Sequence, residues 1–73
     1  MSKKYDYSKL RGLIKEFCGT QKNYANALGI SLTTLNTRLN NETPFTQDEI
    51  RKSRDIFNID DAELSDAVFF TYE

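Results

Sequence analysis

The stretch from Thr20 to Leu39 constrains the fold of this chain more than any other. Thr20 can cap a helix that carries apolar residues at helical spacing. Gly29 can end this helix, because glycine adopts a positive φ without steric cost. Ser31 can cap a second helix directly after the turn. Two short amphipathic helices joined by so tight a turn predict a helix-turn-helix over residues of about 20–40.

The apolar positions of these two helices predict which side chains face inward. Ala25 is small and is expected where the two helices approach each other most closely. The other positions predicted to face the core are Tyr24, Ala27, Leu28, Leu32, Leu35 and Leu39. Core packing is the first interpretation of Leu32, and contact with a thymine methyl group or with a protein partner are the alternatives.

Caps and apolar spacing predict three more helices. Their caps, each followed by its apolar positions, are Asp6 with Leu10, Leu13, Ile14 and Phe17; Thr46 with Ile50, Ile56 and Phe57; and Asp60 with Leu64 and Val68. Glu49 and Glu63 stand three residues after Thr46 and Asp60, which is the spacing of a capping box. No segment alternates as a strand does, so residues 1–73 are predicted to form a single all-α domain of five helices.

The composition excludes several classes of function. The 73 residues include no histidine and a single cysteine, Cys18, so neither a Cys–His nucleophile nor a Cys–His metal site can form. The acidic residues do not follow the spacing of a calcium loop, and there is no glycine-rich phosphate loop. We therefore expect no metal, no cofactor and no catalytic activity.

The chain carries no signal for a membrane. No apolar run approaches the roughly 20 residues needed to span a bilayer. Residues 1–15 lack the apolar core of a signal peptide. A lone cysteine suits a reducing compartment. We expect a protein of the bacterial cytoplasm with no membrane contact.

The net charge of -1 hides a strong asymmetry between the two halves. Residues 1–40 contain seven basic and two acidic side chains, which gives +5, whereas residues 41–73 contain three basic and nine acidic side chains, which gives -6. Such asymmetry suggests an anionic partner for one part of the surface. A dedicated DNA-binding domain is nevertheless usually more basic overall.

The outward stripe of the third helix is the candidate base-reading surface. Thr33, Asn36, Thr37 and Asn40 follow helical spacing on the side opposite the leucines, and none of them is acidic. Asn can bond the edge of adenine in two places, and Thr can donate, accept or touch a thymine methyl group. An ordinary solvated helix face is the alternative. Because the stripe follows a capped helix and a glycine turn, we favour base reading by Thr33, Asn36 and Thr37.

The start of the second helix is a candidate phosphate contact. Its free amides and the positive end of its dipole attract anions, and ordinary capping by Thr20 is compatible with that role. The side chains predicted to contact the DNA backbone are Thr20, Gln21, Lys22, Asn40 and Asn41. Lys3, Lys4 and Lys9 either add diffuse attraction as an N-terminal arm or serve only solubility.

The segment from Gln21 to Asn40 resembles the helix-turn-helix of the lambda repressor and Cro family. The matching residues are Gln21, Ala25, Gly29, Leu35 and Asn40. The segments 6–12, 28–31 and 43–50 are similar to small phage-borne regulators grouped as a domain of unknown function within that family. The resemblance implies a lambda-repressor-like fold, phosphate contacts by Gln21 and Asn40, and base contacts by Thr33 and Thr37 with Asn36 adjacent.

The sequence is consistent with two functions. The first is a Cro-like transcriptional regulator of a phage or prophage that binds double-stranded operator DNA with its third helix in the major groove. The second is an antirepressor or modulator that binds a partner repressor protein and masks or alters its DNA binding. The low net charge, the acidic second half and Leu32 beside the reading surface favour the second.

The aromatic C-terminus has two interpretations. Phe69, Phe70 and Tyr72 either close the core or form a surface patch for a second protein or for a homodimer. Phe69 and Phe70 are adjacent, so one helix cannot easily direct both side chains inward.

Overall fold

Five α-helices make up the computed structural model, which describes residues 4–72. In chain order they are α1 (Ser8–Cys18), α2 (Gln21–Leu28), α3 (Leu32–Leu39), α4 (Gln47–Ile56) and α5 (Ala62–Phe69). A single antiparallel bridge joins Tyr5 to Tyr72 and brings the two ends of the described chain together. The prediction of a five-helix, all-α fold is confirmed. No helix within residues 4–72 is long and apolar enough to cross a membrane.

Three of the predicted caps are present as predicted. The side chain of Thr20 accepts a hydrogen bond from the backbone N–H of Asn23, and Ser31 accepts from the N–H of Thr34. Thr46 and Glu49 form a reciprocal capping box at the start of α4. Each cap satisfies an amide that the first turn of a helix would otherwise leave unpaired, so the starts of α2, α3 and α4 are set locally.

Two predicted caps were wrong by one residue. The N-cap of α1 is Tyr7, and Asp6 instead accepts hydrogen bonds from the backbone and hydroxyl groups of Ser8, which lower the pKa of its carboxyl group. The cap of α5 is Asp61, which accepts from the N–H of Glu63, and not Asp60. Consecutive aspartates offer the same capping group, so the sequence alone could not choose between them.

Helix α2 lies at the centre of the packing. It packs against α1, α3 and α4, while α5 packs mainly against α1. Tyr24 on α2 is fully buried, its ring stacks on that of Phe57, and its hydroxyl shares a hydrogen bond with the buried hydroxyl of Ser53. Ala25 is also buried, as predicted for the close approach of the helices. The other buried apolar side chains are Tyr7, Leu10, Ile14, Leu28, Leu35, Leu39, Phe45, Ile50, Phe57, Ile59, Val68 and Phe69.

Four residues predicted to face the core are exposed instead. They are Phe17, Ala27, Leu32 and Leu64. Each belongs to an apolar stripe along its helix. Helical spacing fixes only the angle of a residue about the helix axis, and it does not show whether another element covers that residue. Ala27 lies on the edge of its stripe, and the other three lie in a first or last turn where neighbouring elements cover them only in part. The prediction that these side chains are buried was therefore wrong.

The C-terminal aromatics divide between core and surface. Phe69 is buried and packs edge-on against the ring of Phe45, whereas Phe70 and Tyr72 are exposed. The ring of Tyr72 stacks on that of Tyr5 with their centroids 4.9 Å apart, and Phe70 meets the same tyrosine edge-on. This aromatic cluster joins the start of the described chain to its end.

Replacing Tyr24 with Phe tests the buried hydroxyl pair. Tyr24→Phe keeps the ring stack but removes one hydrogen bond, while the Ser53 hydroxyl still donates to the carbonyl of Glu49. We expect the free energy of unfolding to fall by about 1 kcal/mol near neutral pH, measured by urea denaturation. A change near zero would show that the pair does not stabilise the fold.

The same variant tests a pH effect. Burial raises the pKa of the Tyr24 phenol above its ordinary value of 10.0. A raised pKa means that this stabilisation is complete below pH 10 and is lost as the pH rises further, because the unfolded chain ionises first. Denaturation between pH 9 and 11 should therefore show a shallower alkaline decline for Tyr24→Phe than for the parent protein. An unchanged decline would contradict this assignment.

Candidate functional site

The turn between α2 and α3 sets the orientation of the candidate site. Gly29 has φ 78° and ends α2, and its N–H bonds to the carbonyls of Ala25 and Asn26. The N–H of Ile30 also bonds to the carbonyl of Ala25 at 3.0 Å. These bonds satisfy the last carbonyls of α2 and reverse the chain within three residues. A side chain at Gly29 would be strained because of its positive φ.

Three exposed residues of α3 and its C-cap residue form one contiguous surface, which we call the α3 face. It consists of Leu32, Thr33, Asn36 and Asn40. Within residues 4–72, no hydrogen bond engages the side chains of Thr33, Asn36 or Asn40, so their polar groups are available to a partner. Leu32 is 41% exposed and contributes an apolar edge to an otherwise polar surface.

Thr37, the third predicted base-reading residue, lies at the margin of the α3 face. It is half-buried, and its hydroxyl donates to the carbonyl of Thr34 at 2.7 Å and lies 3.2 Å from the hydroxyl of Thr43. Its own carbonyl accepts bonds from the N–H groups of Glu42 and Thr43. Thr37 therefore helps to hold the turn after α3, and the structure brings Thr33 and Asn36 together without it.

The only arginine of α3 is held inside the protein. The Nε atom of Arg38 lies 3.0 Å from a carboxylate oxygen of Glu49, and Nη2 lies 3.3 Å from the other oxygen. Nη1 donates to the hydroxyl of Thr43 at 2.6 Å. The side chains of Arg38 and Glu49 are only 16% and 8% exposed. Lys22 is the only other charged residue between Thr20 and Asn41, so the α3 face itself carries no charge.

The predicted backbone contacts lie in different environments. Lys22 and Asn40 are exposed, Gln21 is partly buried, and the Thr20 hydroxyl is the cap of α2. Asn41 is committed elsewhere: its side-chain carbonyl accepts from the N–H of Tyr5 at 2.9 Å, and its amide donates to the carbonyl of Tyr5 at 3.1 Å. This reciprocal pair ties the segment before α1 to the end of α3.

The structure places two of the three lysines of the predicted N-terminal arm, Lys4 and Lys9. Lys3 lies outside the described residues. Lys4 is exposed, and Lys9 lies on α1 beside α5. A further cation, Lys52 on α4, lies 3.4 Å from the carbonyl of Leu28 at the end of α2 and 3.2 Å from Asp48.

Sequence reasoning missed the two contacts that determine the charge and position of this site. Arg38 and Glu49 are 11 residues apart, and Tyr5 and Asn41 are 36 apart, so no local spacing rule connects them. The only local signal was Asn41 itself, because Asn tolerates the positive φ of 63° that the turn after α3 requires.

Replacing Asn41 with Gly tests this tie. Glycine retains the positive φ but removes both hydrogen bonds to Tyr5, so we expect Asn41→Gly to lower the free energy of unfolding by about 1–2 kcal/mol. Amide exchange at Tyr5 should become faster.

Asn58→Gly is the matched control. Asn58 also has a positive φ, of 56°, but its side chain makes no hydrogen bond within residues 4–72. It should change the free energy of unfolding by less than about 0.5 kcal/mol. Equal losses in the two variants would show that the Tyr5 contact contributes nothing.

A family model described as "Protein of unknown function (DUF739)" matches residues 1–71. The chain belongs to the DUF739 family. No curated protein sequence matches it.

One solved structure is similar over nearly the whole chain. It is the solution structure of the modulator of repression of the temperate bacteriophage TP901-1 from Lactococcus lactis. The two chains share 38% sequence identity with a TM-score of 0.73, and the match covers 90% of this chain and 89% of the other. At this identity and coverage, the DUF739 chain and the phage protein share their arrangement of helices.

Proposed function

We propose that this DUF739 protein is a phage-type modulator of repression that acts by binding a repressor protein. The observation that carries the proposal is the similarity to the phage TP901-1 modulator, at 38% identity over 90% of the chain. The protein would work in the cytoplasm of a bacterial host, without a cofactor and without catalysing a reaction.

The α3 face suits a protein partner. Leu32 presents an apolar surface, and the neighbouring hydroxyl and amide groups can form hydrogen bonds without a desolvated charge. Interfaces between proteins place apolar side chains at the centre and polar groups at the rim, and charged side chains are depleted at the centre. An uncharged helix face with one exposed leucine has this character.

The charge distribution opposes tight DNA binding by the same face. Affinity for DNA depends mainly on cations that neutralise phosphates. Arg38 is paired with Glu49, which leaves Lys22 as the one cation of the α2–α3 segment that is outside an ion pair within residues 4–72. A surface with so few available cations is better suited to a protein than to a duplex.

The proposed mechanism is occlusion. The α3 face would bind the repressor on or beside its DNA-binding surface and so prevent or alter its binding to the operator. Because binding and masking are the same event, the strength of the effect should follow the affinity of the two proteins.

Replacing Leu32 with Ser tests the protein-binding function. We expect Leu32→Ser to weaken binding to the repressor encoded nearest to its gene by at least about tenfold, because a central apolar anchor is lost. The measurement is biolayer interferometry with immobilised repressor.

Phe70→Ser is the matched control for this measurement. Its side chain is 43% exposed, against 41% for Leu32, but it lies after α5 and not on the α3 face. The control should retain parental affinity. Loss of binding in Phe70→Ser with none in Leu32→Ser would move the interface to the C-terminal aromatics, and absence of binding in the parent protein would refute the proposal.

Binding to operator DNA is the second candidate function. The observation that favours it is the pair Thr33 and Asn36, whose polar groups are exposed and have no partner within residues 4–72. No carboxylate occurs between Thr20 and Asn41 to repel phosphates. In this function Thr33 and Asn36 would read bases, with Thr37 at the margin holding the turn after α3, and a homodimer would place two such helices on adjacent half-sites.

Fluorescence anisotropy with labelled DNA from upstream of the gene tests this candidate. Operator binding requires affinity near 10⁻⁸ M, preference over a scrambled duplex and weakening with salt. Asn36→Ala should then reduce affinity for DNA, whereas it should leave repressor binding less affected than Leu32→Ser does. Equal and weak binding to both duplexes would exclude operator recognition.

A further inference from the structure

A second candidate surface lies between α1 and α5. It is an open groove of about 610 Å³ with apolar walls. The apolar side chains that line it are Leu13, Phe17, Phe57, Ile59, Leu64 and Val68. Phe17 and Leu64 remain 44% and 46% exposed within it. A concave, mostly apolar site of this volume is typical of a binding site.

Gly12 gives the groove an open edge. It lies in the middle of α1 and lines the groove, and a β-carbon at this position would have no atom within 4 Å. A glycine inside a helix is about 1 kcal/mol less favourable than alanine, and nothing in the protein's own packing requires one here. The missing side chain lets the backbone of another molecule approach α1 closely.

The segment that supplies Phe57, Ile59, Leu64 and Val68 to the groove also carries many carboxylates, although none of these carboxylates lines the groove itself. Residues 55–72 contain five carboxylates and no lysine or arginine. These carboxylates, all exposed and none in an ion pair within residues 4–72, belong to Asp55, Asp60, Asp61, Glu63 and Asp66. On the opposite wall, Lys9 and Glu16 offset each other. A ligand that is apolar along its centre and positively charged outside the groove would complement both the apolar lining and the neighbouring carboxylates.

We propose that the groove between α1 and α5 binds an amphipathic helix of a partner protein, with apolar residues at positions i, i+3, i+4 and i+7 and lysine or arginine beside them. A volume of about 610 Å³ holds several large side chains, which is the usual arrangement for a helix in a groove. All five described helices already contribute to the packed fold, so a second copy of residues 4–72 has no helix to donate.

This surface is separate from the α3 face. The α3 face lies on a helix that packs mainly on α2, whereas the groove lies between α1 and α5. The two surfaces share no residue. The groove can therefore hold a partner helix while the α3 face is occupied. The inference does not depend on the repressor-binding function and can fail or succeed independently of it.

A model peptide tests the groove directly. The probe is an 18-residue helical peptide with leucine at the four stripe positions and their repeats and with lysine elsewhere. The controls are the same leucine pattern with glutamate in place of lysine and a scrambled sequence of identical composition. Binding is followed by NMR titration of the full chain, and we expect shifts of amides in α1, α5 and the α4–α5 connection with the lysine peptide only.

Gly12→Gln provides the matched variant. Glutamine favours a helix, and its β-carbon meets no atom within 4 Å at this exposed position, so we expect the fold to be retained while the side chain narrows the entrance to the groove. We expect affinity for the lysine peptide to fall by about tenfold or more. Ala62→Gln, at an exposed position of α5 that does not line the groove, should bind the peptide as the parent does.

Four results would overturn the proposal. They are shifts confined to the α3 face, equal binding of the glutamate peptide, unchanged affinity in Gly12→Gln, and a parent homodimer that Gly12→Gln dissociates in sedimentation equilibrium. The last would assign the groove to a second copy of this chain. Leu32→Ser should leave peptide binding unchanged, so failure of the groove proposal and failure of the repressor-binding proposal are distinguishable.

Discussion

The candidate recognition surface depends on the hydrogen bonds that the carboxylate of Glu49 accepts. One of its oxygens accepts from the N–H of Thr46 and closes the capping box of α4, and both oxygens bond to the guanidinium of Arg38 on α3. α3 packs mainly on α2, so this buried ion pair adds a link to α4 that fixes the end of the helix. The same pair removes the only cation of α3 from the surface. Orientation and neutrality of the α3 face thus have one physical cause.

The neutrality of the α3 face bears on which ligands this face can bind. Phosphate neutralisation provides most of the affinity of a helix-turn-helix for a duplex. Here the positive charge of residues 1–40 lies mainly on and before α1, and the negative charge of residues 55–72 lies in the segment that also supplies one wall of the apolar groove. The two candidate recognition surfaces therefore differ in charge: the α3 face is neutral, and carboxylates neighbour the groove in sequence.

Local rules were sufficient for much of the fold. The caps at Thr20, Ser31 and Thr46 were predictable because each acts within three residues of itself. Ala25 and Gly29 were predictable because close packing and a positive φ admit few other residues. The exposure of individual side chains was less predictable. Helical spacing places Leu32 on the side of α3 that faces the core, but Leu32 lies in the first turn of the helix, where the domain covers it only in part. The roles of Thr33 and Asn36 stay predictions.

The sequence by itself determined five helices, their approximate limits and the turn that brings α2 against α3, because capping, helical spacing and backbone conformation act over a few residues. The tertiary structure alone decided that Arg38 is paired, that Asn41 holds Tyr5, and that Phe17 and Leu64 line an open groove beside Gly12. These depend on which elements meet in space. The bonds join residues 11 and 36 positions apart, and no periodic pattern encodes such separations.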